Sequence, residues 1–124
     1  MEINNAPHLS GVMLERRHID KLINRKIKNS NILYVNGQIG SGKTTAVILW
    51  LRKQKKNFFW ISVDKHTNII KEIEYLKNLK DKPYYLIIDN YQFIPRDKRK
   101  GLGKILEEHK LKVIIISRCK LLKS

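Results

Sequence analysis

Cysteine is almost absent: Cys119 is the one thiol in 124 residues. A lone cysteine forms no internal disulfide, and nothing pairs it with the His and Asn of a thiol nucleophile. Long hydrophobic runs are missing as well. Stretches such as Val113 to Ile116 fall far short of the about 20 apolar residues that a membrane-spanning helix needs. The opening Met1-Glu2-Ile3-Asn4-Asn5 has neither a basic region nor an apolar core, which argues against a secretory signal. Together these absences point to a cytoplasmic chain with no membrane partner. Metal-ligand spacing is also lacking, because His8, His18, His66 and His109 are scattered singly.

Acidic residues are scarce. Eleven Asp and Glu face 26 Lys and Arg, giving a formal charge of +15. Such an excess attracts phosphate polymers nonspecifically at low salt. The basic residues are spread, however, over Arg16-Arg17, Arg25 to Lys28, Arg52 to Lys56 and Arg96 to Lys100. That distribution reads as a solvated surface before it reads as a dedicated nucleic-acid site. Leu, Ile, Val and Phe make up close to a third of the chain, enough for the core of one small domain.

The apolar pattern alternates between two periods. Residues 1–13 contain Pro7 and Gly11 and show no periodicity, so they read as an extended lead-in to a domain over 14–124. Ile19, Leu22, Ile23 and Ile27 fall at helical spacing, predicting a helix over 15–29. Short apolar strands are expected at 32–35, 58–63, 84–88 and 113–116, with helices at 43–54, around 69–79 and around 98–109. Gly101 and Gly103 weaken the last of these helices. Continuous apolar strands alternating with helices imply a three-layer α/β fold around a parallel sheet.

One segment carries chemistry. Gly37-Gln38-Ile39-Gly40-Ser41-Gly42-Lys43-Thr44 matches G-x-x-x-x-G-K-[ST], the phosphate-binding P-loop or Walker A pattern. Side chains at Gly37, Gly40 and Gly42 would obstruct backbone amides turning inward around a polyphosphate. The helix that follows adds unsatisfied amides and the positive end of its dipole. Lys43 is then expected on the β- and γ-phosphates, Thr44 on Mg²⁺, and Thr45 near the α-phosphate. A strand directly before the loop and an apolar helix directly after it are the context the pattern requires.

Tyr84 to Asp89 is an apolar strand ending in a carboxylate, 46 residues after Lys43. An acid at the carboxyl end of a buried parallel strand emerges where open α/β sheets bind ligands. Asp89 is therefore the candidate Walker B residue, holding Mg²⁺ with Thr44. No guanine-reading N-K-x-D motif is present, so ATP or ADP is preferred to GTP as the cofactor.

Four short runs, in order, resemble the nucleotide-binding domain of STAND ATPases, nearest the large MalT-like, LuxR-type transcriptional regulators. They are Gly40 to Thr45, Trp60-Ile61-Ser62-Val63-Asp64, Ile88-Asp89-Asn90-Tyr91-Gln92-Phe93-Ile94, and Ile116-Ser117-Arg118. The family's runs read as a GKTT loop, W-x-S-x-D, D-D-x-[HQ]-x-I and S-R. The lead-in Leu14-Glu15-Arg16-Arg17-His18-Ile19 is similar in a less specific way. The resemblance spans about residues 12–118 and implies a P-loop NTPase of the AAA+/ASCE type, with the fourth strand between the first and third. It also implies a place for Arg118 beside the γ-phosphate, as a nucleotide sensor; the alternative is a surface arginine after a strand.

Two departures shape the expected activity. Asn90 stands where the family generally carries a second acid, and a neutral amide is a poor proton acceptor. The chain also stops after four predicted strands, without the fifth strand, lid, sensor or effector domains of the family. The expected function is an ATP- and Mg²⁺-binding switch module of a transcriptional regulator, at most a slow nucleoside triphosphatase. Two alternatives stand beside it: a nucleic-acid-associated AAA+ ATPase of loader or ORC-like type, and a small P-loop kinase.

Overall fold

A computed structural model describes residues 17–36, 42–109 and 111–117. Four parallel strands form its sheet: β1 (Ile32–Asn36), β2 (Phe58–Ser62), β3 (Tyr85–Asp89) and β4 (Lys112–Ser117). Their spatial order is β1-β4-β3-β2. The fourth strand thus lies between the first and third, the order that the resemblance implies. The helices are α1 (Arg17–Asn29), α2 (Lys43–Gln54), α3 (Ile69–Lys77) and α4 (Arg96–His109), with a 3₁₀ turn at Tyr91–Phe93.

Strand alternation divides the core into two halves. Tyr85 and Ile87 of β3, with Ile114 and Ile116 of β4, pack against Ile23 and Ile27 of α1 and Val47, Trp50 and Leu51 of α2. The intervening Leu86, Ile88, Val113 and Ile115 pack against Ile69, Ile73 and Leu76 of α3 and Leu102 and Leu106 of α4. Helices on both faces explain why β3 and β4 are continuous apolar runs rather than alternating ones. Truncating a fully buried isoleucine such as Ile87 or Ile114 to alanine would cost about 2–5 kcal/mol.

The helix α2 is apolar nearly all round because it is covered twice. Its inner side faces the sheet, and α1 lies against it on another side. Trp50 Nε1 donates to Asn24 Oδ1 at 2.8 Å, and Lys53 Nζ pairs with Asp20 Oδ2 at 2.6 Å. The helix α3 starts where Asn68 Oδ1 accepts the Lys71 amide at 3.2 Å, an N-cap geometry.

Several boundaries differ from expectation. The helix α3 stops at Lys77, and Leu79 still packs on the second core half from beyond the helix end. The helix α4 begins at Arg96, directly after Pro95, and runs through both glycines. An added Cβ at Gly101 or Gly103 would meet nothing within 4 Å, so the glycines reflect no close approach. The strand β2 ends at Ser62 and β3 starts at Tyr85, where the Tyr84 and Tyr85 amides both donate to Asn57 O. The lead-in over 1–13, the segment 14–16, the loop Gly37 to Ser41, and Arg118 and Cys119 lie outside the described residues.

Candidate functional site

All four strands end at one edge of the sheet. Asn36 is in register with Ser117, and Ser62 with Asp89. Among the described residues, the loop after β2 and the turn after β3 leave that edge, and α2 starts beside it. In open parallel sheets this is the edge where ligands bind.

Gly42 is the N-cap of α2 and has a left-handed backbone, φ 80° and ψ 16°. A residue with a Cβ is strained there, so glycine at this position has a backbone reason. With no side chain, Gly42 offers no cap to the first amides of α2, and no acid stands in its first turn. The positive end of this 12-residue helix is thus left without a carboxylate of its own. Lys43 is the first helical residue and is buried, 7% exposed.

Asp89 is buried at the end of β3, 6% exposed. It alternates with Tyr85 and Ile87, so it stands on the sheet face that α2 covers. There Thr44 Oγ1 donates to Asp89 Oδ2 at 3.4 Å, a long contact, while the Asn90 amide donates to Oδ1 at 2.8 Å. Thr45, one residue along α2, is half-buried. The structure thus gathers Gly42, Lys43, Thr44, Thr45, Asp89 and Asn90 at one edge; Gly37, Gln38, Ile39, Gly40, Ser41 and Arg118 are not among the described residues. No three His, Cys, Asp or Glu side chains gather into a metal-binding group among the described residues.

Asn90 is the unusual residue of the group. Its backbone is left-handed, φ 60° and ψ 41°, a conformation that asparagine tolerates better than most residues. Its side-chain Oδ1 is buried and accepts no hydrogen bond among the described residues. A buried acceptor without a donor costs about 1–3 kcal/mol and invites a polar ligand or water.

The turn after β3 is tied down by residues that no motif announces. Arg99 Nε donates to Ile94 O at 2.9 Å, and its guanidinium lies 5.1 Å from the Tyr91 ring centre. Tyr34 also meets the Tyr91 ring, edge-on at 6.2 Å. Burial pushes the Tyr91 phenol above its ordinary pKa, with a smaller push from Tyr34 and an opposing pull from Arg99. Arg99 sits in the basic run 96–100 that reads as solvated surface, and its spacing alone does not reveal this inward turn.

The loop after β2 is held by Asp64. Its Oδ1 accepts the His66 amide at 2.7 Å and the Thr67 hydroxyl at 3.0 Å. These bonds, the His66 amide foremost, hold the Asp64 carboxyl below the usual range. Ser62 accepts from Trp60 Nε1 at 3.1 Å and borders Asp89 in the sheet. No family model matches the chain, and no curated protein matches it.

Proposed function

We propose that the chain binds magnesium-ATP at the carboxyl edge of its sheet, as the nucleotide-binding domain of a STAND-type signalling ATPase. The observation that carries the reading is the meeting of Thr44 and Asp89 at 3.4 Å. The G-x-x-x-x-G-K-T run and the apolar strand ending in Asp are distant in sequence, yet their polar ends converge beside an uncapped helix N-terminus.

The residues suit the group. Thr44 and Asp89 are two hard oxygen donors, and magnesium characteristically takes one or two protein oxygens and completes its shell with phosphate and water. Lys43 supplies a cation at a helix start that already favours anions. Asn90 Oδ1, buried and without a donor, offers a further acceptor beside Asp89 for a water molecule. Bound magnesium-ATP supplies a γ-phosphate whose presence or loss distinguishes two states of a switch.

Within that reading each side chain has a task. Lys43 neutralises phosphate charge, and the first amides of α2 orient the phosphates. Thr44 and Asp89 hold the metal. Asn90 offers an acceptor to a water molecule but removes no proton from it, so hydrolysis is slow in this chain. The module then acts as a switch, in keeping with the resemblance to MalT-like, LuxR-type regulators. The absence of an N-K-x-D motif favours adenine over guanine.

Isothermal titration calorimetry with ATP and Mg²⁺ tests the proposal. The wild type is expected to bind, and Lys43→Ala to bind about ten- to a hundredfold more weakly, the loss of one charged hydrogen-bonding partner. Equal affinity in the two proteins would overturn the assignment.

A further inference from the structure

We propose that the edge of the sheet opposite the candidate nucleotide site binds single-stranded nucleic acid, on Tyr84 and the lysines around it. In a parallel sheet all strands start at one edge, and the connections that enter them gather there. Here those connections are 55–57 into β2 and 78–84 into β3, with the last turn of α1 alongside. Between them lies a groove of about 230 Å³ lined by Asn24, Lys28, Gln54, Tyr84 and Lys112 among others, and no carboxylate among the described residues lines it.

Tyr84 is the exposed aromatic of this groove among the described residues. It is 46% exposed although large and apolar. Its ring is fixed from behind by an edge-on contact with Tyr85 at 4.6 Å, and its amide is held by Asn57 O at 2.9 Å. Lys56 Nζ lies over the ring, 4.2 Å from its centre, and a base that stacks there takes the place of this ammonium. A half-exposed ring with a mobile ammonium over it and Lys28 on the same groove suits an unstacked base and its phosphates: the ring takes the base face once Lys56 swings to the backbone. A base paired in a duplex has no free face to offer, so the single strand is favoured. A lipid surface would call for several apolar side chains side by side, and Tyr84 is the one large apolar side chain exposed in the groove.

The lysines themselves argue for an external partner. Lys112 is occupied internally, donating to Ile27 O at 2.9 Å. Lys55 instead holds a left-handed backbone, φ 53° and ψ 36°, at the end of α2, where glycine would fit without strain. Cations near helix ends offset the helix dipole, which accounts for Lys53 and Lys77. Lys56 and Lys82 lie in the connections beyond the helices, where the dipole does not reach, and Lys56 stands over the Tyr84 ring.

The proposal is independent of nucleotide binding, and one experiment separates the two. Fluorescence anisotropy of a labelled 20-mer oligothymidylate is followed from 50 to 200 mM salt. Lys56→Gln/Lys82→Gln is expected to weaken binding roughly tenfold and to reduce the salt slope by about 1.4 for two lost phosphate contacts. Lys65→Gln/Lys98→Gln removes the same charge at the other edge and is expected to change affinity less than about twofold. Tyr84→Leu should weaken binding about five- to tenfold with the slope unchanged, and Tyr84→Phe should restore it. Lys43→Ala should bind the oligonucleotide as the wild type does, whatever becomes of ATP. Three results would each overturn the proposal: equal losses in the two lysine pairs, full binding by Tyr84→Leu, or tighter binding to phosphatidylserine vesicles than to the oligonucleotide.

Discussion

Thr44 and Asp89 stand 45 positions apart in the chain, yet the Thr44 hydroxyl donates to the Asp89 carboxylate across 3.4 Å. Two features produce the meeting. The period of the strand turns Asp89 to the α2 face, and the left-handed Gly42 starts α2 at the same edge. A contact this long between a hydroxyl and a carboxylate is weak as a hydrogen bond, and on the proposed reading the two oxygens share a cation. Asp89→Ala should therefore weaken nucleotide binding measured with Mg²⁺ and leave binding measured with EDTA nearly unchanged. Titrations under the two conditions check this, and an undiminished magnesium dependence would count against Asp89.

The glycines of α4 lead to a stability prediction. Gly101 and Gly103 lie inside a regular helix, and a methyl group at either would meet nothing within 4 Å. Alanine there loses less backbone entropy on folding, by about 0.5–1 kcal/mol per site. The expected result is a rise in Tm for each single variant and additive rises in the pair. Thermal unfolding followed by circular dichroism measures it. A fall in Tm would mean that α4 is not helical through these positions.

Alkaline pH should destabilise the fold through its buried phenols. Burial raises the pKa of Tyr91, and burial with a smaller push from Tyr84 raises that of Tyr85. The folded state thus keeps its phenolic protons where the unfolded chain gives them up. The stability they contribute is complete below the ordinary value near 10 and is lost as pH rises through the raised values. Tyr91→Phe should flatten the fall in Tm above pH 10, because it removes one of the groups that ionise. Melting curves from pH 7 to 11 on both proteins give the comparison; parallel curves would show that Tyr91 does not couple to folding.

Much of this was legible in the residues, and the exceptions have physical causes. The strands β3 and β4 are buried on both faces, so their runs of Tyr, Leu, Val and Ile stand out whatever the helices do. The bounds of α2 coincide with expectation because Gly42 and the apolar run after it mark the start sharply. The start of α4 was hidden, since two glycines and a run of Lys and Arg carry little periodicity. The 3₁₀ turn at Tyr91–Phe93 was hidden too, because three residues are too few to show a period. Arg99 was missed because its role depends on the direction of one side chain, which spacing does not encode. The candidate site was half legible in the same way. The types and positions of Lys43, Thr44 and Asp89 come from motif spacing, whereas the orphaned Oδ1 of Asn90 belongs to the fold alone.

Asn90 governs the last prediction, which concerns turnover. The residue combines a left-handed backbone, a buried acceptor without a donor and a position directly after Asp89. As an amide it orients water but takes no proton from it, so phosphate release by the wild type should fall far below the ordinary enzyme range of about 1 s⁻¹ or more. Asn90→Asp is the informative substitution, because aspartate also tolerates the left-handed region and keeps the side-chain length. It should speed release in a steady-state assay, with Lys43→Ala as the control for contaminating activity. Asn90→Gly separates structure from chemistry. Glycine relieves the backbone strain and removes the orphaned acceptor, so Tm should rise by several degrees, about 1 kcal/mol or more of stability, while turnover stays low. Fast release by the wild type, abolished in Lys43→Ala, would show that the amide is no obstacle. A lowered Tm in Asn90→Gly would show instead that the Asn90 side chain supports the fold.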